Sequence, residues 1–349
     1  MIEVRNLTKK YGSFFAVNDV SFTIEKGKIY GFLGPNGAGK STTMNIITGC
    51  LSATGGSVFV DGEDIFEKPL EAKRKIGYLP ELPPLYTEMT PAEYLAFVAE
   101  AKGVGYDEAP RQVKEVMELT QITHVADRLI RNLSKGYRQR VGIAQALLGN
   151  PDVIILDEPT VGLDPKQIIE IRELIRRLGE TKTVIVSSHI LAEISAVCDH
   201  VMIISHGRLV ANDSIAALEA SAMEDSALTL AVKGEIEAVS PVLEQIDGVL
   251  SIAAACQEHE EGICRFVLDI DMQNDPRDTI FYTLAEMKMP IVEMFARHAT
   301  LEDVFLRLTS EEFLEDEEET VPEVEDYTPQ FVTVTESADK ITQKEETEE

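Results

Sequence analysis

Residues 28–47, KIYGFLGPNGAGKSTTMNII, join an apolar strand to a helix through a glycine-rich turn. The turn Gly34–Thr42 fits the pattern G-x-x-x-x-G-K-[ST], with a strand at Ile29–Leu33 before it and a helix around Met44–Thr48 after it. Glycines allow backbone N–H groups to surround an anion at the positive end of a helix. The stretch therefore predicts a phosphate-binding loop, and its context argues against an ordinary glycine-rich turn.

The loop holds most of the candidate nucleotide-binding residues. Lys40 is expected to supply a point charge to the β- and γ-phosphates, and Ser41 a hydroxyl to Mg²⁺. The candidates in the loop are Gly34, Pro35, Asn36, Gly37, Ala38, Gly39, Lys40, Ser41 and Thr42.

A second candidate site follows the apolar strand Val153–Leu156, which ends in Asp157 and Glu158. Acidic side chains at the end of a buried strand are costly unless a cation or solvent receives them. Beside a phosphate loop, Asp157 is expected to hold Mg²⁺ through water and Glu158 to polarise an attacking water as general base. A strand that merely ends in solvent-facing acids is the alternative.

The first 220 residues alternate short β-branched runs with longer helical patterns, which is typical of an α/β domain with a largely parallel sheet. The predicted strands are Ile29–Leu33, Val153–Leu156, Thr183–Val186 and Val201–Ile204, with Ile2–Leu7 and Ala16–Ile24 at an antiparallel edge. A helical insertion is predicted from Ala92–Ala101, Glu108–Thr120 and His124–Arg131.

Residues 221–310 predict a separate small α+β domain. Strand and helix patterns follow in the order β-α-β-β-α-β, which is the ferredoxin-like order, and a helix closes the domain. The predicted elements are Ala227–Val232, Ile236–Ile246, Val249–Ala255, Arg265–Ile270, Pro276–Met287, Ile291–Phe295 and Leu301–Thr309. His259 and His298 stand alone in it, so no ligand cluster is expected.

Charge and composition limit the possible partners. The 349 residues contain 61 acidic and 32 basic side chains, a net charge of −29, which argues against broad contact with nucleic acid or an anionic membrane. No apolar run is long enough to span a bilayer, and the start lacks the apolar region of a signal peptide, so a cytosolic protein is expected. The four cysteines include no CxxC pair and predict reduced thiols.

Much of the negative charge is concentrated in residues 311–349, which hold 16 acidic and two basic side chains. Such a segment buries too little apolar surface to offset its ordering entropy, so a disordered acidic tail is predicted. The tail is interpreted as a solvated solubility segment or, alternatively, as an interaction segment centred on Phe331–Val334.

Three further motifs make a resemblance specific. Leu133–Arg140 reads LSKGYRQR and lies between the two sites, and Gly162-Leu163-Asp164 and Ser187-Ser188-His189 follow the second. This ordered set resembles the ATP-binding cassette (ABC) ATPases over about residues 1–220. The C-terminal extension is similar to that of ABC-2 type exporter subunits of the gliding-motility or multidrug type. The resemblance implies a P-loop ABC ATPase domain with a mixed sheet, an antiparallel edge and a helical subdomain at about 82–149.

The resemblance also implies roles for single residues, with ATP and Mg²⁺ as cofactors. Tyr11 would stack on adenine, although a packed edge-strand tyrosine is the alternative. His189, 31 residues after Glu158, would contact the γ-phosphate and hold the attacking water with Glu158. Ser134 and Gly136 would approach the γ-phosphate bound by a partner subunit, and Asp164 would lie at the dimer seam. Thr42 would lie near the α-phosphate, and Glu81 would offer Mg²⁺ an oxygen.

Two motifs depart from the family pattern. The signature motif usually reads LSGGQ, whereas its third and fifth positions here are Lys135 and Tyr137. Glu81 stands where the Q-loop normally has glutamine, so it cannot donate a hydrogen bond and it adds a negative charge. ATP binding is expected to survive both departures.

The resemblance implies work at a membrane through a partner. The stretch Leu82–Tyr86 and the helices starting at Pro91 would receive a short helix from a transmembrane permease, although a loop packing on its own domain is the alternative. The expected protein is a homo- or heterodimeric ATPase, held at the inner face of the membrane by an export permease. A non-transport ABC protein for translation or repair, or a nucleotide-dependent regulatory module, are the other hypotheses.

Overall fold

The computed structural model describes residues 1–224, 226–255, 262–271, 274–298 and 300–315. Strands and helices are numbered along the chain. The first 224 residues contain two sheets and eight helices within these described ranges. The helices are α1 Lys40–Ile47, α2 Pro69–Arg74, α3 Pro91–Ala101, α4 Ala109–Leu119, α5 Lys135–Leu147, α6 Pro165–Gly179, α7 Leu191–Ser195 and α8 Ile215–Glu224.

The antiparallel sheet begins with a long hairpin. Its strands are β1 Ile2–Tyr11, β2 Phe14–Ile24, β4 Gly55–Val60 and β5 Glu63–Asp64, in the order β2-β1-β4-β5. Tyr11 pairs with Phe14 across the turn of the hairpin. Alternate side chains such as Ile2, Val4, Val20 and Phe22 are buried, which is the pattern of strands with one face on a core.

The second sheet is parallel except at one edge. Its strands are β3 Ile29–Leu33, β6 Ile76–Leu79, β7 Val153–Asp157, β8 Thr183–Ser188, β9 His200–Ser205 and β10 Arg208–Ser214, in the order β10-β9-β3-β8-β7-β6. Only β10 runs antiparallel to its neighbour. All residues of β3, β7 and β8 are buried, as expected of strands covered on both faces. The predicted α/β class is confirmed.

The order of this sheet places the motifs together. β8 lies between β3 and β7, and the three strands are parallel. The glycine-rich loop follows β3, Asp157 and Glu158 follow Leu156 of β7, and His189 follows β8. Because carboxyl ends of parallel strands share one edge, the glycine-rich loop converges there with two segments that lie more than 100 residues later in the sequence.

One predicted helix is wrong. The segment His124–Arg131 forms two short 3₁₀ turns, Thr123–Val125 and Ile130–Asn132, instead of a continuous helix. Its backbone bonds run to other segments: the Ile130 N–H donates to the carbonyl of Met89 at 2.9 Å, and that of Arg131 to Thr87 at 3.1 Å. These pairings replace the i to i−4 bonds that a helix would need.

The C-terminal part contains a third sheet. Its strands are β11 Ser226–Lys233, β12 Val249–Ala255, β13 Ile263–Ile270 and β14 Ile291–His298, all antiparallel and in the order β12-β13-β11-β14. Helices α9 Ile236–Leu243 and α10 Arg277–Glu286 contribute to a core of its own, which includes Leu228, Phe266 and Leu284. A final helix, α11 Leu301–Glu315, packs Phe305 and Leu308 against the core of the first domain.

The last predicted segment is only partly described. α11 reaches Glu315, so the first five residues of the predicted tail 311–349 are helical. Residues 316–349 lie outside the described ranges, as do Cys256, His259 and Phe331–Val334. Among the described residues, Cys50, Cys198 and Cys264 form no disulfide. Within the described residues, every helix is too short or too polar to cross a bilayer.

Candidate nucleotide-binding site

The glycine-rich loop has a backbone that only glycine accommodates at its key positions. Gly37 and Gly39 have φ values of +84° and +104°, in the left-handed region. A Cβ on Gly39 would lie 2.3 Å from the carbonyl oxygen of Ala16, and one on Gly34 would lie 2.3 Å from that of Ile204. α1 begins at Lys40 without a side-chain cap, so its first N–H groups remain available for an anion.

Lys40 is held beneath this loop. Its ammonium donates to the carbonyls of Gly34 at 2.8 Å and Pro35 at 3.2 Å, and its side chain is 6% exposed. The same Nζ lies 3.7 Å from Oε1 of Glu158. Burial lowers the pKa of Lys40, while the nearby carboxylates of Glu158 and Asp157 oppose that shift. The loop therefore presents a pre-positioned cation beside a carboxylate.

Glu158 is set at the end of β7 by its neighbours. Its φ of +48° is unusual for a residue other than glycine, and its N–H donates to Oγ of Ser187 at 2.9 Å. The Ser187 hydroxyl donates in turn to the Asp157 carboxylate. Nδ1 of His189 lies 3.1 Å from both carboxylate oxygens of Glu158. One strand pair thus aligns two carboxylates with an imidazole.

The surroundings of Glu158 make its carboxylate a stronger base than an exposed glutamate. Burial raises the pKa of its carboxyl above the ordinary value, because the side chain is only 7% exposed. The hydrogen bond and charge of His189 and the charge of Lys40 oppose that shift, whereas Asp157 adds to it.

A cavity of about 480 Å³ collects these groups. Most predicted ligands line it: Tyr11, Asn36, Gly37, Gly39, Lys40, Ser41, Thr42, Glu81, Glu158 and His189. Gly34, Pro35 and Ala38 do not line it, although Gly34 and Pro35 hold Lys40. Asp157 is also absent from the lining and is buried behind it.

Sequence reasoning missed three lining residues, Phe14, Ala16 and Val161. Phe14 had a local signal, because it faces Tyr11 across a two-residue turn in β1-β2. Tyr11 is 51% exposed and Phe14 is 62% exposed. Exposed aromatic faces at a cavity mouth are suited to stacking on a planar base.

The remaining predicted residues lie in a different place. Ser134 caps α5 and accepts the Tyr137 N–H at 3.4 Å, and Asp164 caps α6 and accepts the Gln167 N–H at 2.9 Å. Gly136 and Asp164 line a second cavity of about 500 Å³ together with Tyr137 and Arg140. Ser134, Gly136 and Asp164 are therefore not brought into the phosphate pocket of the same chain.

The two departures in the signature motif make local contacts. The Lys135 side chain lies across the loop before α6, because a Cβ on Gly162 would come within 2.3 Å of its Nζ. The Tyr137 hydroxyl lies 2.9 Å from Nε2 of His124, and the two rings meet edge to face. Both side chains thus connect α5 to neighbouring segments.

Comparisons with known proteins agree with this geometry. The profile of the ABC transporter family matches residues 17–161. The linearmycin resistance ATP-binding protein LnrL of Bacillus subtilis (strain 168) is 32% identical over 314 residues, 88% of this chain and 98% of that protein. This chain belongs to the ABC transporter ATP-binding proteins. It is therefore an ATP-binding and ATP-hydrolysing transporter subunit.

Other relatives place this ABC subunit among those of exporters with a C-terminal extension. The bacitracin transport ATP-binding protein BcrA of Bacillus licheniformis is 42% identical over 212 residues, covering 60% of this chain and 68% of that protein. The Nod factor export ATP-binding protein I of Burkholderia orbicola (strain AU 1054) is 31% identical over 313 residues, 89% of this chain and 97% of that protein.

A solved structure extends the comparison to assembly. A dimeric ATP-binding cassette in a post-hydrolysis state, bound to ADP and Pi, superposes with a TM-score of 0.57 at 28% identity. It covers 62% of this ABC subunit and 99% of the solved chain. That cassette is a dimer.

Proposed function

We propose that this ABC subunit hydrolyses ATP with a water activated by Glu158, and that hydrolysis drives export through a separate membrane-spanning permease. The observation that carries the proposal is the convergence of three groups in one cavity. His189 lies 3.1 Å from Glu158, and Lys40, in the loop after β3, lies 3.7 Å from it. A buried carboxylate between an imidazole and an ammonium at a phosphate loop is suited to phosphoryl transfer to water.

ATP is expected to lie along the cavity from the hairpin to the carboxylates. Tyr11, with Phe14 beside it, would stack on adenine, and the loop from Gly34 to Thr42 would wrap the phosphates. Lys40 would contact the β- and γ-phosphates, and Thr42 would lie near the α-phosphate. The supporting geometry is that a single cavity is lined by Tyr11, Phe14 and every residue of this loop except Gly34, Pro35 and Ala38.

The residues present fit Mg²⁺ as the companion of ATP. Mg²⁺ prefers oxygen donors and usually takes one or two protein ligands besides phosphate and water. Ser41 offers a hydroxyl, Asp157 a carboxylate held by Ser187, and Glu81 a carboxylate at the cavity wall. Bound Mg²⁺ would neutralise charge on the phosphates. Glu81, in place of a glutamine, gives this site an additional negative charge.

Glu158 is assigned as the general base and His189 as the group that orients it. Burial raises the pKa of Glu158, which brings it closer to the working pH and makes it a stronger base. His189 contacts both of its carboxylate oxygens and is itself half-exposed in the cavity, where it would also reach the γ-phosphate.

The His189 contact has a measurable consequence for pH dependence. His189 lowers the pKa of Glu158, so His189→Ala is expected to raise that pKa. The acid limb of kcat/KM for ATP hydrolysis should then move upward by about 0.5–1 pH unit, the equivalent of one hydrogen bond of about 1 kcal/mol. The midpoint is measured from phosphate release at a series of pH values. His206→Ala, in the turn after β9, is the control, and a midpoint that stays in place or moves downward would contradict this coupling.

The second group of predicted residues is assigned to a dimer. Ser134 and Gly136 would complete the phosphate site of a partner subunit, and Asp164 would lie at the seam between the two. Two observations support this: the three residues lie outside the phosphate cavity of their own chain, and a solved relative is dimeric. The dimer would close on ATP and reopen after hydrolysis.

Export and a permease partner are proposed from the relatives and from one surface. Relatives are named for linearmycin resistance and Nod factor export. Leu82 and Tyr86 are exposed in the proline-rich stretch after Glu81, and the Tyr86 ring lies 5.4 Å from that of exposed Phe97 on α3. This apolar surface would receive a helix of the permease and hold the ABC subunit at the inner face of the membrane.

The docking surface is tested with charge substitutions. Leu82→Asp together with Tyr86→Asp is expected to reduce recovery of a multi-span membrane protein with the tagged subunit by at least about tenfold, because two buried apolar contacts are worth about 1.5–3 kcal/mol each. Recovery is quantified by mass spectrometry after detergent extraction of the native membranes. Tyr106→Asp, at a still more exposed aromatic in the same subdomain, is the control. Recovery of ribosomes or DNA instead would overturn the transport assignment.

The domain limits are proposed as 1–220 for the cassette, with a helical subdomain at about 82–149, and 221–310 for the second domain. We assign the second domain to the ferredoxin-like type. The element order β-α-β-β-α-β and the antiparallel order β12-β13-β11-β14 support this assignment.

A further inference from the structure

Glu193 joins two segments of the site through one atom. Oε2 of its carboxylate accepts the hydroxyl of Thr160 at 2.5 Å and the hydroxyl of Ser188 at 3.1 Å. Thr160 and Ser188 are 5% and 1% exposed. Both hydroxyls therefore depend on protein acceptors, because water does not reach them.

The two hydroxyls flank the groups that face the cavity. Thr160 lies two residues after Glu158, and its carbonyl accepts the Leu163 N–H at 3.2 Å at the start of the loop that leads to α6. Ser188 directly precedes His189, and its Oγ accepts the Ile190 N–H at 3.1 Å. Oε2 of Glu193 thus connects the segment that carries Glu158 with the segment that carries His189.

Glu193 is itself fixed by a neighbouring helix. It lies on α7, whose carbonyls are held by two arginines of α6. Nη2 of Arg176 donates to the carbonyl of Ala196 at 2.6 Å, and Nη2 of Arg172 lies 3.5 Å from that of Ala192. A cation at the C-terminal end of a helix is favourable, so α7 is well anchored. The helix that carries the Glu193 carboxylate is therefore tied to α6.

We propose that Glu193 is a positioning residue that sets the distance between Glu158 and His189. Glu158 has a left-handed backbone, which is costly and persists only where its surroundings hold it. Removing the acceptor would cost both buried hydroxyls their hydrogen bond. Thr160 and Ser188 would then turn to other partners, and the segments that carry Glu158 and His189 would shift. This inference rests on the proposed roles of Glu158 and His189.

The test separates hydrogen bonding from charge. Glu193→Leu keeps the size of the side chain without an acceptor and is expected to lower kcat for ATP hydrolysis by about tenfold to a hundredfold, since a displacement of about 1 Å can cost that much. KM for ATP should stay within about twofold, because the phosphate loop is untouched. Glu193→Gln places a carbonyl oxygen where both hydroxyls donate, so its kcat should stay within about threefold of wild type.

Controls make the outcome specific. Glu173→Leu removes an exposed carboxylate from α6 and should keep the wild-type kcat. If Glu193→Leu does not fold, as judged by circular dichroism, Thr160→Val serves instead and should lower kcat about threefold to tenfold at constant KM. Unchanged kcat, a rise in KM alone, or an equal loss in Glu193→Gln would each overturn the proposal.

Glu158→Gln is measured in parallel, so that a failure of the proposed function can be distinguished from a failure of the positioning role of Glu193. A normal rate in Glu158→Gln would defeat the proposed function itself. If Glu158→Gln is inactive while Glu193→Leu is normal, only the positioning role fails. The double variant Glu158→Gln, Glu193→Leu should hydrolyse ATP no more slowly than Glu158→Gln alone, because Glu193 acts through Glu158.

Discussion

Glu158→Gln is expected to lower kcat for ATP hydrolysis by about a thousandfold, within the range of about 10²–10⁴ that general base catalysis contributes. Glutamine has nearly the same shape as glutamate but cannot accept the proton of the attacking water. The Kd for ATP should change by less than about threefold, because the loop from Gly34 to Thr42 and Lys40 remain in place. Phosphate release measures kcat, and titration calorimetry measures Kd.

The same variant also removes one of two neighbouring charges at the site. The buried Lys40 lies 3.7 Å from Glu158, so loss of that carboxylate leaves its ammonium with a stronger pull on phosphate oxygens. ATP binding by Glu158→Gln should therefore be as tight as in wild type or tighter. Glu173→Gln on α6 is the control for loss of a carboxylate elsewhere. Hydrolysis at the normal rate in Glu158→Gln would remove Glu158 from its assigned role.

Lys40→Ala is expected to weaken ATP binding itself, by about tenfold to a hundredfold or more in Kd. Hydrogen bonds to charged groups are worth about 1.5–3 kcal/mol each, and Lys40 would supply them to the phosphates. In the structure its ammonium is already turned towards the loop by the carbonyls of Gly34 and Pro35. Alanine would remove both the cation and this pre-positioning.

Two variants sharpen the result. Lys40→Arg should not restore wild-type binding, because the side chain is only 6% exposed and a planar guanidinium is larger than the compact ammonium that the two loop carbonyls hold. Lys114→Ala, on the exposed face of α4, should bind ATP normally. Calorimetry of each variant with Mg-ATP is the measurement, and a wild-type Kd for Lys40→Ala would exclude Lys40 as a phosphate ligand.

Features carried by local pattern were predictable from the sequence. The β3 strand, the glycine-rich loop and the two carboxylates at the end of β7 each follow from a run of fewer than ten residues. The C-terminal element order β-α-β-β-α-β was also predicted, because each element there has its own hydrophobic period and turn signals. Local chemistry was sufficient in these cases.

Features that depend on distant contacts were missed. The segment His124–Arg131 has a helical pattern, yet its backbone bonds to Thr87 and Met89 make it two short turns. Glu193 has no motif around it that marks a role, since its partner Thr160 lies in the turn after β7 and its partner Ser188 ends β8. Phe14 is different, because the two-residue turn between it and Tyr11 is a local signal that could have placed the two side chains together.

The amino-acid sequence alone specified the phosphate loop, the two carboxylates and the order of the motifs, because each depends on residue type and spacing over a few positions. Tertiary structure decided how those motifs meet. β8 inserts between β3 and β7, so Ser187 reaches Asp157 and His189 reaches Glu158 across the sheet edge. Strand order in a parallel sheet is set by burial and packing of the whole domain, and no local pattern encodes it.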